Sequence, residues 1–197
     1  MNIDLELTAK IIWCLFIVCW GAIRWQPNRK SRKVEVSHTA RPVKERLAMI
    51  ISSVGLGYIP IAWIFTDFLD GFDYAPNIFT IIIGAVVLIG SLRMFRLTHK
   101  ALGRMWSHSL DLREGHRLVT EGIYKSVRHP MYTAFWAWGL GAAFLLPNWI
   151  AGFSGLIGFG TLFFLRVSQE EEMMRAEFGS EYDEYMKRTK RVIPGIY

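Results

Sequence analysis

The fold is decided by residues 131–167, which read MYTAFWAWGLGAAFLLPNWIAGFSGLIGFGTLFFLRV. This stretch contains two apolar runs, 131–146 and 149–167, and only Pro147 and Asn148 separate them. Two helices joined by so short a connection must lie side by side and antiparallel. The stretch therefore predicts a tight helical hairpin, and its apolar composition predicts that the hairpin lies in a membrane.

Three further apolar runs precede the hairpin, at residues 7–25, 47–65 and 78–92. The second run is interrupted by Gly55, Gly57 and Pro60, which favours a kink or close packing against another helix. At about 1.5 Å per residue, a run such as 7–25 can cross a hydrocarbon core about 30 Å thick. The sequence thus predicts an all-α integral membrane protein with five transmembrane helices.

The distribution of charge predicts the orientation of these helices. Of the 197 residues, 52% are hydrophobic and 20% are charged, and the charges lie between the apolar runs. Basic residues are abundant after the first, third and fifth runs and absent after the second and fourth. Because cytoplasmic loops carry the excess of Lys and Arg, we expect the N-terminus outside and the C-terminus in the cytoplasm. The lipid bilayer is then the predicted partner, and the net charge of +6 does not indicate nucleic acid.

The chain divides near residue 92 into two predicted regions. Residues 1–92 hold the first three helices and a basic cytoplasmic loop at 26–46. Residues 93–197 hold a polar segment at 98–132, the hairpin at 131–167 and a charged, amphipathic tail in which Gly179 is an expected helix break. A multi-pass protein of either a bacterial or archaeal inner membrane or the endoplasmic reticulum fits this pattern.

Two polar segments, 115–129 and 166–172, each adjoin an apolar helix and fall on the same predicted side. In the first, Pro130 would begin the fourth helix without the loss of a hydrogen bond. His129 and the free N–H groups of that helix start would suit a negatively charged ligand. A proline at a helix start with solvated neighbours is the alternative interpretation.

The second segment contains Arg166, followed by three successive acids at 170–172. A charged side chain costs about 2.5–3.5 kcal/mol at the centre of a transmembrane helix, so these residues are expected near the interface. Arg166 and Glu170 share one helix face. In one interpretation, Arg166 binds a substrate anion and Glu170 binds a cationic group such as an amine. In the other, the two residues form a surface ion pair worth about 0.3–0.5 kcal/mol. No spacing of His or Cys resembles a metal site.

Three motifs in order carry a resemblance to a known family: LVTEGIYKSVRHPMY at 118–132, FLRVSQEEEMM at 164–174 and EFGSEYDEYMKRTKRVIP at 177–194. With the hairpin between them, they resemble the isoprenylcysteine carboxyl methyltransferase (ICMT) family, within a wider group that includes phospholipid methyltransferases. The resemblance covers roughly residues 90–197. It implies an S-adenosyl-L-methionine-dependent methyltransferase with a cofactor pocket in the C-terminal half and no Rossmann domain. The chain looks like the prokaryotic five-span form.

The resemblance also implies roles for individual residues. Glu170 would hold the methionine end of the cofactor, and Arg166 would contact the substrate, plausibly at its carboxylate. The remaining residues that would line the cofactor pocket are His116, Arg117, Leu118, Val119, Tyr124, His129, Pro130, Met131 and Tyr132.

The expected substrate is a lipophilic molecule with an isoprenylcysteine-type carboxylate, which is already ionised at pH 7 and needs no general base. An amino-phospholipid is the alternative, and its amine would need a base such as Glu171 or His129. Two other classes stay open: a membrane reductase that uses NADPH, suggested by the Arg-His-Pro tripeptide, and a non-enzymatic membrane protein. The acids at 170–172 would repel the 2′-phosphate of NADPH, so a binding site for that phosphate at Arg166 is disfavoured.

Overall fold

The structure, a computed structural model, describes residues 4–31, 43–103 and 118–197, with side chains in the first range from residue 4 to 25. Within these ranges the secondary structure is helical, and strands are absent. The α-helices are α1 (Leu5–Ser31), α2 (Val43–Ser53), α3 (Ile59–Phe65), α4 (Ile78–Leu102), α5 (Pro130–Leu145), α6 (Trp149–Phe178) and α7 (Ser180–Arg188). A π-helical turn, Val54–Tyr58, joins α2 to α3 without a break.

Four helical segments of the described chain are long and apolar enough to cross a membrane. They are Leu5–Trp25, Val43–Phe65, Ile78–Leu102 and Trp149–Phe178. Helix α5 has 16 residues, which extend over about 24 Å and so fall short of a hydrocarbon core about 30 Å thick. The predicted all-α membrane architecture is confirmed, whereas the fifth span stays a prediction.

Several helices continue beyond the apolar runs that predicted them. Helix α1 extends to Ser31 and α2 begins at Val43, so the polar loop predicted for 26–46 is shorter than expected. Helix α6 extends through the charged residues to Phe178 and ends at Gly179, whose φ of +52° breaks the helix as predicted. Backbone hydrogen bonds propagate a helix through charged residues as well as apolar ones, so a change in polarity marks the membrane boundary rather than the helix end.

The predicted hairpin is confirmed, and Asn148 explains how it turns. The Asn148 Oδ1 atom accepts hydrogen bonds from the backbone N–H groups of Ile150 (3.0 Å) and Ala151 (2.8 Å), which caps α6. Its Nδ2 donates to the Leu69 carbonyl (2.8 Å) and to Asp73 Oδ1 (2.7 Å). The α5–α6 turn is therefore fastened to the α3–α4 connection at one end of the bundle.

Close approach of backbones fixes α2 and its π-helical turn against α6. A Cβ atom built on Gly55 would lie 2.2 Å from the Ser154 carbonyl oxygen, a distance that excludes any side chain there. The Ser154 hydroxyl donates to the Gly55 carbonyl at 2.7 Å. The close packing expected from the glycines of this run is confirmed.

Aromatic rings fill the space between α4, α5 and α6 below the charged end of the bundle. Phe95 meets Phe135 edge to face with ring centroids 4.8 Å apart, and Phe135 stacks on Phe159 at 5.1 Å. Phe163 contacts the Tyr132 ring at 5.5 Å. This layer supports Tyr132 from beneath and separates the polar residues above it from the bundle centre.

Candidate active site

The polar start of α5 and the charged end of α6 meet at one end of the bundle. The buried His129 ring lies between two carboxylates: its Nδ1 is 3.7 Å from Glu170 Oε1, and its Nε2 is 3.2 Å from Glu171 Oε1. The Tyr132 ring stacks on His129, with centroids 5.3 Å apart. The prediction that these two segments lie side by side is therefore confirmed.

The C-terminal segment holds the start of α5 in place. Pro130 occupies the first turn of α5, where it sacrifices no hydrogen bond. The backbone N–H groups of Arg128 and His129 donate to the carbonyls of Lys190 (2.8 Å) and Arg191 (2.9 Å). The Thr133 hydroxyl donates to the Val192 carbonyl at 2.8 Å. The chain after α7 thus returns to the site and fixes the entry into α5.

Glu171 is the anchor of this arrangement. Its side chain is only 4% exposed, and each carboxylate oxygen has its own arginine. Arg128 donates to Oε1 from Nη2 at 2.7 Å and from Nε at 3.2 Å. Arg191 donates to Oε2 from Nη2 at 2.7 Å and from Nε at 3.1 Å. A carboxylate paired with two arginines is a poor proton acceptor. Glu171 therefore forms structural ion pairs and does not act as a base.

Glu170 has a different environment, although it is the next residue. Its side chain is 29% exposed, and Oε2 accepts a hydrogen bond from the Tyr132 hydroxyl. Arg166 Nε lies 3.9 Å from the same oxygen, which is an ion pair without a hydrogen bond. Glu170 is thus the carboxylate of the pair with capacity for a further cationic partner.

Arg166 also faces an acid that sequence analysis did not single out. Its Nη1 lies 3.6 Å from Glu45 Oε1, in the first turn of α2. The Glu45 side chain is 4% exposed, and neither of its oxygens has a hydrogen bond to any residue that the structure describes. Arg166 therefore lies between carboxylates of two helices.

The carboxylates set the protonation of the groups around them. Burial lowers the pKa of His129, but hydrogen bonds to Glu170 and Glu171 and their negative charges outweigh burial, and the pKa is raised above its ordinary value. Burial and then the charge of Glu170 raise the pKa of Tyr124. The His129 imidazole therefore favours its protonated form, and the Tyr124 phenol retains its proton.

The structure brings some of the predicted site residues together and leaves others untested. His129, Tyr132, Glu170 and Arg166 form one connected cluster. The charge of Glu170 acts on the Tyr124 phenol, and the Tyr124 carbonyl accepts a hydrogen bond from the Tyr185 hydroxyl of α7 at 2.6 Å. The other predicted residues divide as follows: Pro130 is buried, Leu118, Val119 and Met131 are half-buried, and His116 and Arg117 lie outside the described residues.

The sequence alone does not identify Arg128, Arg191 and Glu45 as members of the cluster. Arg128 belongs to the Arg-His-Pro tripeptide, but nothing in the tripeptide indicates that the Arg128 side chain would be buried on Glu171. A signal for Glu45 existed in the spacing of α2. Glu45, Ala48 and Ser52 are the buried residues of that helix, and they share the face that points at α6.

The part of the chain around the cluster is similar in sequence to known proteins. The model of the Isoprenylcysteine carboxyl methyltransferase (ICMT) family matches residues 80–176, which include α5 and the charged end of α6. Protein-S-isoprenylcysteine O-methyltransferase B of Arabidopsis thaliana is 35% identical over 96 residues, 48% of this chain and 49% of that protein.

Two further relatives bear the name Protein-S-isoprenylcysteine O-methyltransferase. The one from Schizosaccharomyces pombe is 35% identical over 96 residues, 48% of this chain and 41% of the relative. The one from Homo sapiens is 38% identical over 81 residues, 41% of this chain and 28% of the relative. The matches span about half the length of the relatives or less. Residues 80–176, just under half of the chain, contain His129, Tyr132, Arg166 and Glu170 and are similar to the isoprenylcysteine carboxyl methyltransferase family.

Proposed function

We propose that this protein is an S-adenosyl-L-methionine-dependent methyltransferase of the membrane. Its substrate would be a lipophilic molecule with a terminal carboxylate of the isoprenylcysteine type. The observation that carries the proposal is the cluster of Glu170, Arg166, His129 and Tyr132 at the point where apolar α6 becomes charged. Such a position serves a reaction between a water-soluble cofactor and a membrane-bound substrate.

The residues of the cluster fit the methionine end of S-adenosyl-L-methionine. Glu170 is a partly exposed carboxylate suited to the cationic amino group. The start of α5 offers the N–H groups of Met131 and Tyr132, which have no acceptor within the helix and suit the cofactor carboxylate. Leu118, Val119 and Tyr124, with His116 and Arg117, would complete the pocket in segment 98–132.

The protein's task in the reaction would be orientation. The bound cofactor supplies an electrophilic methyl group on a sulfonium, which a nucleophile takes in an in-line displacement. Arg166 would hold the substrate carboxylate at the membrane boundary, beside Glu170. Because a carboxylate is ionised at neutral pH, the reaction needs no base. The pairing of Glu171 with Arg128 and Arg191 agrees with such a mechanism.

The membrane arrangement proposed with this activity has five spans, with α5 as the fifth. The N-terminus would lie outside and the C-terminus in the cytoplasm. Residues 1–92 would form the transmembrane support, and residues 93–197 the catalytic region. The contact between Glu45 and Arg166 supports this arrangement, because it places the start of α2 at the same end of the bundle as the end of α6.

An amino-phospholipid is a second candidate substrate, and one observation favours it. Glu45 adds a buried negative charge beside Arg166, which suits an approaching cationic amine better than a carboxylate. The amine would have to lose a proton before it reacts. Glu45 and Glu170 are the carboxylates of the cluster that lack the double arginine pairing of Glu171.

The proposal is tested by calorimetric titration of the detergent-solubilised protein with S-adenosylhomocysteine and, separately, with NADPH. Transfer of radiolabelled methyl groups to a farnesylated cysteine analogue and to phosphatidylethanolamine vesicles then identifies the acceptor. We expect binding of S-adenosylhomocysteine but not of NADPH, and transfer to the farnesylated cysteine. Failure to bind S-adenosylhomocysteine would overturn the proposal, and transfer to phosphatidylethanolamine alone would favour the second substrate.

A further inference from the structure

Glu45 is a buried acid outside the region that matches the family, and it borders the proposed substrate position. It belongs to α2, whereas the match begins at residue 80. Its side chain is 4% exposed, and within residues 4–31, 43–103 and 118–197 neither carboxylate oxygen finds a hydrogen-bond partner. A buried carboxylate in this state is costly unless a nearby charge compensates it. The cation at hand is Arg166, at 3.6 Å.

The charge of Glu45 acts on Arg166 without a hydrogen bond between them. Arg166 lies 3.6 Å from Glu45 and 3.9 Å from Glu170, both beyond the range of a good hydrogen bond. The Arg166 side chain is itself 12% exposed, so water screens these interactions weakly. Glu45 and Glu170 therefore already compensate part of the positive charge of Arg166, which then attracts a third anion less strongly.

Glu45 is also unable to withdraw from the site with its helix. Gly55, just beyond α2, packs directly on the Ser154 backbone of α6, and the Ser154 hydroxyl donates to the Gly55 carbonyl. Arg166 belongs to the same helix as Ser154. The distance between the backbones at Glu45 and Arg166 is thus fixed by packing, and any substrate that reaches Arg166 meets the negative charge of Glu45.

We propose that Glu45 is a specificity-determining residue that weakens the binding of anionic substrates to Arg166 and thereby favours acceptors with less negative charge. The inference rests on the proposed function, in which Arg166 contacts the substrate. Under this proposal, a residue of the N-terminal half contributes to substrate preference. Two proteins with identical C-terminal halves would then differ in substrate preference if they differed at the position of Glu45. Glu45 is not among the residues proposed to hold the cofactor, so its replacement would leave cofactor affinity unchanged.

The test measures equilibrium binding to the full chain in detergent, saturated with S-adenosylhomocysteine. The two probes are N-acetyl-S-farnesylcysteine, which carries a carboxylate, and its methyl ester, which is neutral. In Glu45→Gln, the dissociation constant of the carboxylate probe is expected to fall at least about fivefold, because a like charge is removed from its site. The constants for the ester and for S-adenosylhomocysteine are expected to stay within about twofold.

Glu177→Gln is the matched control, because Glu177 is an exposed acid on the same helix as Arg166, and neither probe should change its affinity. Glu45→Met serves as a second charge-removing variant if Glu45→Gln does not fold. Equal shifts for acid and ester, or an unchanged or weaker affinity for the acid, would refute the role of Glu45. If the unsubstituted protein binds neither S-adenosylhomocysteine nor either probe, the proposed function itself fails, and that outcome is distinct.

Discussion

At the scale of single residues, the adjacent acids Glu170 and Glu171 have different surroundings because successive helix positions point about 100° apart. Glu171 turns towards Arg128 and Arg191 and anchors the C-terminal segment. Glu170 turns towards Tyr132 and Arg166 and stays partly exposed. One helix turn thus supplies a structural carboxylate and a carboxylate available to a ligand, with His129 in contact with both.

The first prediction separates the roles of Glu170 and Arg166. Glu170→Gln should weaken the binding of S-adenosylhomocysteine at least about tenfold, because it removes the charge proposed to hold the cofactor amino group. Arg166→Gln should lower kcat/KM about a hundredfold through loss of substrate orientation, with cofactor affinity nearly unchanged. Calorimetry and methyl-transfer kinetics measure the two effects.

Glu172→Gln, an exposed acid of the same run, is the control for both variants. Melting temperatures of all three proteins should be compared, since a loss of fold would lower both readouts together. Equal losses of cofactor affinity in the Glu170 and Arg166 variants would contradict the division of roles.

The second prediction concerns pH and His129. The folded protein holds the pKa of His129 above its ordinary value of about 6.5, because Glu170 and Glu171 favour the charged ring over the opposing effect of burial. The stabilisation from this pair is therefore complete below about pH 6.5 and is lost as pH rises through the folded pKa. Melting temperature should fall over that window.

The His129→Gln variant isolates this contribution. It lacks the titrating ring, so its melting temperature should vary less with pH above about 6.5 than that of the unsubstituted protein. The difference between the two profiles removes the effects of the other histidines. If the difference in melting temperature between the two proteins stayed constant from pH 6 to pH 9, His129 would not gain a proton on folding.

At the scale of helices and turns, the contact between α2 and α6 tests the packing. Gly55→Ala would place a Cβ atom 2.2 Å from the Ser154 carbonyl oxygen, so one backbone must move. We expect a loss of about 1–3 kcal/mol in the free energy of unfolding. Gly57→Ala is the control, because it lies in the same π-helical turn and its Cβ would have no neighbour within 4 Å. Thermal unfolding in detergent compares the two variants.

The apolar runs were sufficient to predict the α5–α6 hairpin, because it depends on local spacing. The glycines of the second run indicated a kink or close packing, but they did not identify Ser154 of α6 as the partner of Gly55. The apolar runs did not predict that α1 reaches Ser31 or that α6 reaches Phe178, since hydrophobicity reports the membrane boundary rather than the helix end. Glu45 beside Arg166 could not be predicted either. Contacts between distant segments depend on how the helices are arranged. The alternation of loops between the two sides of the membrane predicts only the end of the bundle at which each residue lies.

At the scale of the whole molecule, the two ends of the bundle have opposite character. One end carries the charged cluster around His129. The other carries the connection between α3 and α4, where Phe68 is 84% exposed and Asn148 is bonded to Asp73. Exposed aromatic rings next to a bilayer are typical of the membrane interface. The difference between the ends allows the proposed orientation to be tested directly.

The fourth prediction is that these ends face opposite sides of the membrane. After Cys14 and Cys19 are replaced by serine, a membrane-impermeant maleimide applied to intact cells should label Phe68→Cys. It should label Glu181→Cys, at an exposed position of α7, only after the cells are lysed. Labelling of Glu181→Cys from outside would reverse the proposed orientation.

The bonds between Lys190–Val192 and the start of α5 have a consequence for biosynthesis. During translation, the segment that contains Arg191 is made after α5 and α6. Until then Glu171 lacks one of its two arginines, and the entry to α5 lacks its backbone partners. Completion of the site therefore depends on the segment that follows α7. A chain that ended shortly before Lys190 would contain α1 to α7, but the entry into α5 would lack its backbone partners and Glu171 would keep Arg128 alone.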